Sequence, residues 1–139
     1  WGFQVEAGST ATDFQTASGS IGGELALCQR YYYQSTSGTT FTEPWIGFFT
    51  SSSKFIFNIY FPVSMRTTPT LTTTSGSDYY FLYQNGGAQY FSAVALESAS
   101  FAGAVLRNSG TPSLSGSVGQ SWTVGTSNSS SSVAFSSEF

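Results

Sequence analysis

Residues 54–61 alternate without a break, and no other run in the chain narrows its fold so much. In Lys54-Phe55-Ile56-Phe57-Asn58-Ile59-Tyr60-Phe61, a period of two puts Phe55, Phe57, Ile59 and Phe61 on one face. A helix would scatter these four side chains around its circumference, whereas a strand lays them together against a core. Pro62 and Pro69 bracket the connection that follows, and Thr70 to Thr74 then reads as a strand whose proline sits at its first position, where a missing donor is tolerated.

Further strands are expected from Tyr31, at Tyr79–Gln84, Ser92–Ser98, Phe101–Arg107, Ser121–Gly125 and Val133–Phe139, and over residues 1–6. Turn-forming stretches separate them, among them residues 8–13, 35–40, 76–78, 85–87, 108–110 and 127–132. Asn85-Gly86 supplies the positive-φ residues of a tight hairpin. Short strands at such intervals predict an all-β, antiparallel sandwich of jelly-roll type. One short helix is expected after Ser20, which can cap it, with Leu25, Ala26, Cys28 and Gln29 at helical spacing; its apolar face is expected to pack across the end of the sandwich.

Composition supports this reading. Of 139 residues, 40% are hydrophobic and 17% aromatic, while only 8% are charged, against about 25% in an average domain. Serine, threonine and glycine replace lysine and glutamate; the low charge, few helix formers and many aromatics are the bias of β-structure and argue against disorder. The four basic residues, Arg30, Lys54, Arg66 and Arg107, are scattered through a chain of net charge −3, so no stretch can neutralise successive phosphates and nucleic acid is not an expected partner. No run of about 18 apolar residues occurs, so no membrane insertion is expected. The opening Trp1 suggests a piece of a longer polypeptide.

The chemistry open to the chain is narrow. It has no histidine and a single cysteine, which removes His-based acid–base catalysis, the Ser-His-Asp arrangement and a closed zinc site. No cofactor is expected: Gly22-Gly23 and Gly86-Gly87 lack the spacing and the following lysine of a phosphate loop. Cys28 cannot form an internal disulfide and is expected to be buried and inert. Glycoside hydrolysis needs only two carboxylates about 5–10 Å apart, for which Glu43, Asp78 and Glu97 are the candidates; solvated carboxylates kept for solubility are the stronger explanation.

The aromatic residues point elsewhere. Trp45, Tyr79, Tyr80, Tyr83, Tyr90 and Trp122 fall in or beside loops and strand ends, where a sugar ring can stack on the apolar face while hydroxyls bond to polar tips. The competing explanation is that they fill the core or a subunit interface. Trp45, Tyr79, Tyr80, Tyr83 and Trp122 are the candidate glycan-binding set.

Three segments carry a resemblance. Residues 5–14, VEAGSTATDF, followed by residues 24–32, ELALCQRYY, resemble the junction in phage tail-fibre and related virion proteins where a jelly-roll domain ends and a carboxy-terminal β-domain begins. Residues 61–70, FPVSMRTTPT, resemble the second domain's strand, turn and Pro-Thr strand start. The resemblance spans most of the chain, from about Val5 to Phe139, and departs from the usual pattern over Gln15 to Gly23, which carries fewer charges. It implies a boundary near residue 20, with residues 1–20 ending a preceding domain or linker and 21–139 forming the β-sandwich. It further implies a virion location in a tail fibre or capsid appendage, a homotrimer contacting other virion proteins, and no activity or cofactor of its own. Met65 and Arg66 would then pin a turn, and Cys28-Gln29-Arg30 would seat the chain on the sandwich. Host-surface polysaccharide, read weakly but three times over, is the expected ligand. A head-decoration or fibre-trimerisation module with no external ligand is the alternative, and a tailspike glycosidase fragment the third.

Overall fold

The computed structural model describes residues 5, 7–10, 13, 18–37, 42–84, 87–110 and 114–138. Within them lie one helix, α1 (Ile21–Gln29), and ten strands: β1 (Tyr32–Ser37), β2 (Thr42–Phe49), β3 (Phe55–Tyr60), β4 (Thr70–Thr73), β5 (Tyr80–Gln84), β6 (Gly87–Phe91), β7 (Ala93–Ser100), β8 (Gly103–Ser109), β9 (Ser121–Thr126) and β10 (Ser132–Ser136). Two antiparallel sheets pack as a sandwich, a small one in the order β1-β10-β4 and a large one in the order β6-β5-β9-β2-β3-β8-β7. The all-β fold with one short helix is as the sequence predicts.

The alternating run is β3, and its inward face is the core. Phe55, Phe57, Ile59 and Phe61 are buried, Phe61 meeting Phe135 of the small sheet edge-on at 5.0 Å between ring centroids and Tyr33 at 5.8 Å. Tyr80 ties the far end of the sandwich together. Its ring stacks on Phe91 at 5.6 Å, and its hydroxyl donates to the carbonyls of Thr74, at 2.8 Å, and Ser132, at 3.1 Å, where β4 and β10 meet. Desolvation of the buried phenol raises its pKa from 10.0 to about 12, against the lowering effect of the bond to Thr74.

Two strands lie outside the sequence expectation. Pro44 and Gly47 disguise β2, which nonetheless sits at the centre of the large sheet. A register shift between Thr42 and Trp45 accommodates the proline in the pairing with β9. Gly47 is there because a Cβ would lie 2.1 Å from the carbonyl oxygen of Ile56 on the neighbouring strand. The second, β6, begins Gly87-Ala88-Gln89 and lacks a strand signal of its own; its pairing with β5 makes it. Gln84 faces Gly87 across that hairpin, and Asn85 and Gly86, assigned to its turn, lie outside the described residues. So do all of residues 1–6 except Val5, which is exposed and in no strand.

Helix α1 starts as its capping residue predicts. The Ser20 hydroxyl accepts from the backbone N–H of Gly23 at 3.1 Å, and Glu24 reaches back to accept from the N–H of Ser18 at 2.8 Å. Two expectations about the helix are corrected. None of its residues is buried, so Ile21, Leu25 and Leu27 do not pack across the sandwich end, and the Cys28 thiol is exposed. Among the described residues, the helix is tied to the sandwich through backbone bonds at its carboxy-terminal end. There the carbonyl of Arg30 accepts from the N–H of Arg66 at 2.8 Å and the hydroxyl of Ser137 at 2.7 Å, and the carbonyl of Tyr31 accepts from the N–H of Ser137 at 2.8 Å. These bonds seat the chain after α1 through backbone groups, without burying the helix's apolar side chains.

Candidate functional site

The outer face of the large sheet is built by the residues that β3 turns away from the core. Ile56, Asn58 and Tyr60 point outward, as do Ile46 and Phe48 of β2. The ladder sets their neighbours: Ile56 faces Arg107, Asn58 faces Val105 and Tyr60 faces Gly103 on β8, and Ser98 and Ser100 of β7 face Val105 and Gly103 in turn. Tyr60 is 79% exposed, the most open aromatic among the described residues.

Beside Tyr60 runs a groove of about 340 Å³, bounded by Asn58, Ser98, Ser100, Ala102, Gly103 and Val105. Gly103 forms its floor because a Cβ there would come within 2.6 Å of the carbonyl oxygen of Ile59; the close approach of two strands leaves a gap in the row of side chains next to the tyrosine. On the other side of Tyr60, β2 pairs with β3 only from Gly47 to Phe49. A notch of about 270 Å³ opens beyond, lined by Tyr33, Ser35, Trp45, Asn58 and Tyr60. A flat aromatic ring thus stands between two depressions whose polar lining is uncharged amide and hydroxyl.

The five residues of the candidate glycan-binding set are not brought together. Trp45 is buried, stacked on Phe57 at 5.3 Å, with its indole N–H donating to the Ser35 hydroxyl at 3.1 Å; it closes the inner end of the notch instead of offering a stacking face. Tyr80 is 0% exposed and belongs to the core, which removes it from any surface in this fold. Tyr79, half-buried at the start of β5, lays its ring over Gly76. Trp122 is half-buried against Phe49 at 6.3 Å, and its ring nitrogen is buried with no hydrogen-bond partner among the described residues. Of the five, only Tyr83 is exposed, on the outer face of β5. Tyr90 stands near it on β6, its ring 6.2 Å from Phe81.

Sequence reasoning passed over Tyr60, although the signal was available. The alternation that assigns Phe55, Phe57, Ile59 and Phe61 to the core assigns Tyr60 to the opposite face. Attention to loops and strand ends missed an aromatic in the middle of the strongest strand.

Charge gathers at one place on this face. Glu97 accepts from Lys54 Nζ at 2.6 Å and lies 3.2 Å from Arg107 Nε. The hydrogen bond from Lys54, with the charges of Lys54 and Arg107, holds the carboxyl below its ordinary pKa against a smaller opposing desolvation. Of the candidate hydrolytic carboxylates, Glu97 is taken up by Lys54 and Arg107, and Asp78 lies in the turn that leads into β5. The side chain of Glu43 lies outside the described residues. Among the described residues, no three potential ligands of the His, Cys, Asp or Glu type gather as a metal site, and no helix is long and apolar enough to cross a membrane.

Comparison with protein-family models, with curated proteins and with solved structures finds no match.

Proposed function

We propose that the chain is a non-enzymatic module of a phage fibre or similar virion appendage that binds host-surface glycan through the outer face of its large sheet, assembled as a homotrimer. The observation that carries the reading is Tyr60, 79% exposed beside a mainly apolar groove edged by the Asn58 amide and the Ser98 and Ser100 hydroxyls. A pyranose ring stacks its C–H face on a phenol and turns its hydroxyls to such groups, an arrangement that requires no charge. The resemblance of residues 5–14, 24–32 and 61–70 to virion-fibre proteins supports the setting. Two of those segments meet at the Arg30–Arg66 contact, which suits a structural role for the motif and leaves recognition to residues outside it. Three sites on one particle would compensate for a shallow single site.

The test is saturable binding of the labelled chain to intact bacterial cells, with purified surface polysaccharide as competitor. Binding that is competed away, and that Tyr60→Ala abolishes while the circular dichroism spectrum and melting temperature stay unchanged, is the expected result. Binding unaltered in that variant would remove the site.

A second reading is favoured by Ile46, 71% exposed in the central strand β2, and by Phe48 beside it. An apolar pair at that place suits burial between subunits of a trimerisation or decoration module with no external ligand. Light scattering distinguishes the two: a trimer that Ile46→Asp dissociates and that binds no cells supports the second reading, and a monomer at micromolar concentration removes the trimer from both.

A further inference from the structure

Resting on the glycan-binding reading, we infer that the ligand of the Tyr60 face is an acidic oligosaccharide whose carboxylate is received by Lys54 and Arg107. The two cations come together although 53 residues separate them in sequence, and they are two of only four basic residues in the chain. One carboxylate, Glu97, lies between them, 2.6 Å from Lys54 Nζ and 3.2 Å from Arg107 Nε, so the pair has carboxylate-binding geometry and keeps one positive charge beyond what Glu97 offsets. All three side chains remain partly open to solvent.

Position connects this charge to the groove. Arg107 faces Ile56 across the β3–β8 ladder, and Ile56 and Tyr60 lie on the same outward row of β3, four residues apart, a distance of about 13 Å along the strand. Between them on that row and on β8 lie Asn58 and Val105, which line the groove. A short oligosaccharide spans such a distance, with one ring on Tyr60, the next over Asn58 and Val105, and the carboxylate of a third at Arg107. A neutral chain would use the first two contacts and leave the cations with Glu97 alone. In a protein of net charge −3 with few charges of either sign, an exposed cation pair continuous with an uncharged groove selects for the acidic ligand.

The experiment uses the full 139-residue chain and an array of uronate oligosaccharides, each paired with its carboxyl-reduced counterpart, together with neutral galactans and glucans. The expected result is tighter binding to the uronate member of a pair, a preference that weakens as salt is raised. Arg107→Gln and Lys54→Gln each lower affinity for the uronate member by up to about fivefold and leave the reduced member unchanged, as fits partly exposed ion pairs. Glu97→Gln, which removes the competing carboxylate, strengthens uronate binding. Equal binding to both members, or no effect of Arg107→Gln, overturns the acidic specificity and leaves the Tyr60 reading standing if Tyr60→Ala still abolishes binding. No binding to any glycan by the folded chain overturns both.

Discussion

Arg66 gives its backbone N–H to the carbonyl of Arg30 at 2.8 Å and lays its guanidinium 5.6 Å from the centroid of the Tyr31 ring. One residue thus joins the end of helix α1 to the connection between β3 and β4. Ser137, which follows β10, closes the same junction from the other sheet by donating to Arg30 and Tyr31. Met65 anchors it from below, buried, with its N–H bonded to the carbonyl of Phe101 at 2.7 Å.

The Ser137 hydroxyl is buried and its partner is a backbone carbonyl. Ser137→Ala is therefore expected to lower the stability of the chain by about 1 kcal/mol, the usual net worth of such a bond. The helix should loosen first, read as faster hydrogen exchange at the amides of α1 and Arg66. Exchange rates unchanged there would show that the junction does not hold the helix.

Tyr80 makes stability depend on pH at the alkaline end. In the unfolded chain a tyrosine loses its proton near pH 10, whereas the native phenol holds its proton up to about 12, so the folded state binds more protons in that window. Its contribution is fully present below pH 10 and is lost as pH rises toward 12, on the order of 2 kcal/mol in all. The advantage of wild type over Tyr80→Phe in urea midpoint should accordingly shrink above pH 9 and reverse by about pH 11.5. The same variant at pH 7 should cost about 1 kcal/mol, since two carbonyls lose a shared donor.

At Gly47 there is no room for a methyl group, because the carbonyl oxygen of Ile56 is backbone in the middle of the large sheet and cannot swing aside. Gly47→Ala should destabilise by about 2–3 kcal/mol, toward the upper end of overpacking costs, as read from urea denaturation. Gly22→Ala is the control: a Cβ there meets nothing within 4 Å, and alanine favours the helix, so stability should hold or rise.

Because Cys28 is exposed, its thiol should react fully with a disulfide reagent such as Ellman's under native conditions, without denaturant. Reaction only after unfolding would mean that the helix is covered.

Much of the β-architecture follows from local pattern. Alternation marked β3 and its inward face, Ser20 marked the helix start, and the turn residues placed β4, β5, β7, β8, β9 and β10 to within a few positions. These signals are local, because a strand's period and a helix's cap are written in consecutive residues. Pro44 and Gly47 hid β2 for the opposite reason: a bulge and a close approach are properties of neighbouring strands, and neither strand announces the other in sequence.

What the amino-acid sequence alone determined about this protein is therefore its class, an all-β sandwich of low charge without histidine chemistry, together with the residues that build its core. Which aromatic side chains reach solvent was decided only by the tertiary structure. Tyr80 and Tyr83 carry the same side chain three residues apart on one strand, yet Tyr80 is buried with its hydroxyl on the small sheet while Tyr83 is exposed on the opposite face, beyond the buried Phe81. The strand's parity separates the two residues, but the neighbours that pack on each face select which side chains are buried. The same holds for Lys54, Glu97 and Arg107, which meet only because β7 and β8 pair beside β3. Burial and charge contact are sums over neighbours brought in from distant parts of the chain, and no window of consecutive residues contains them.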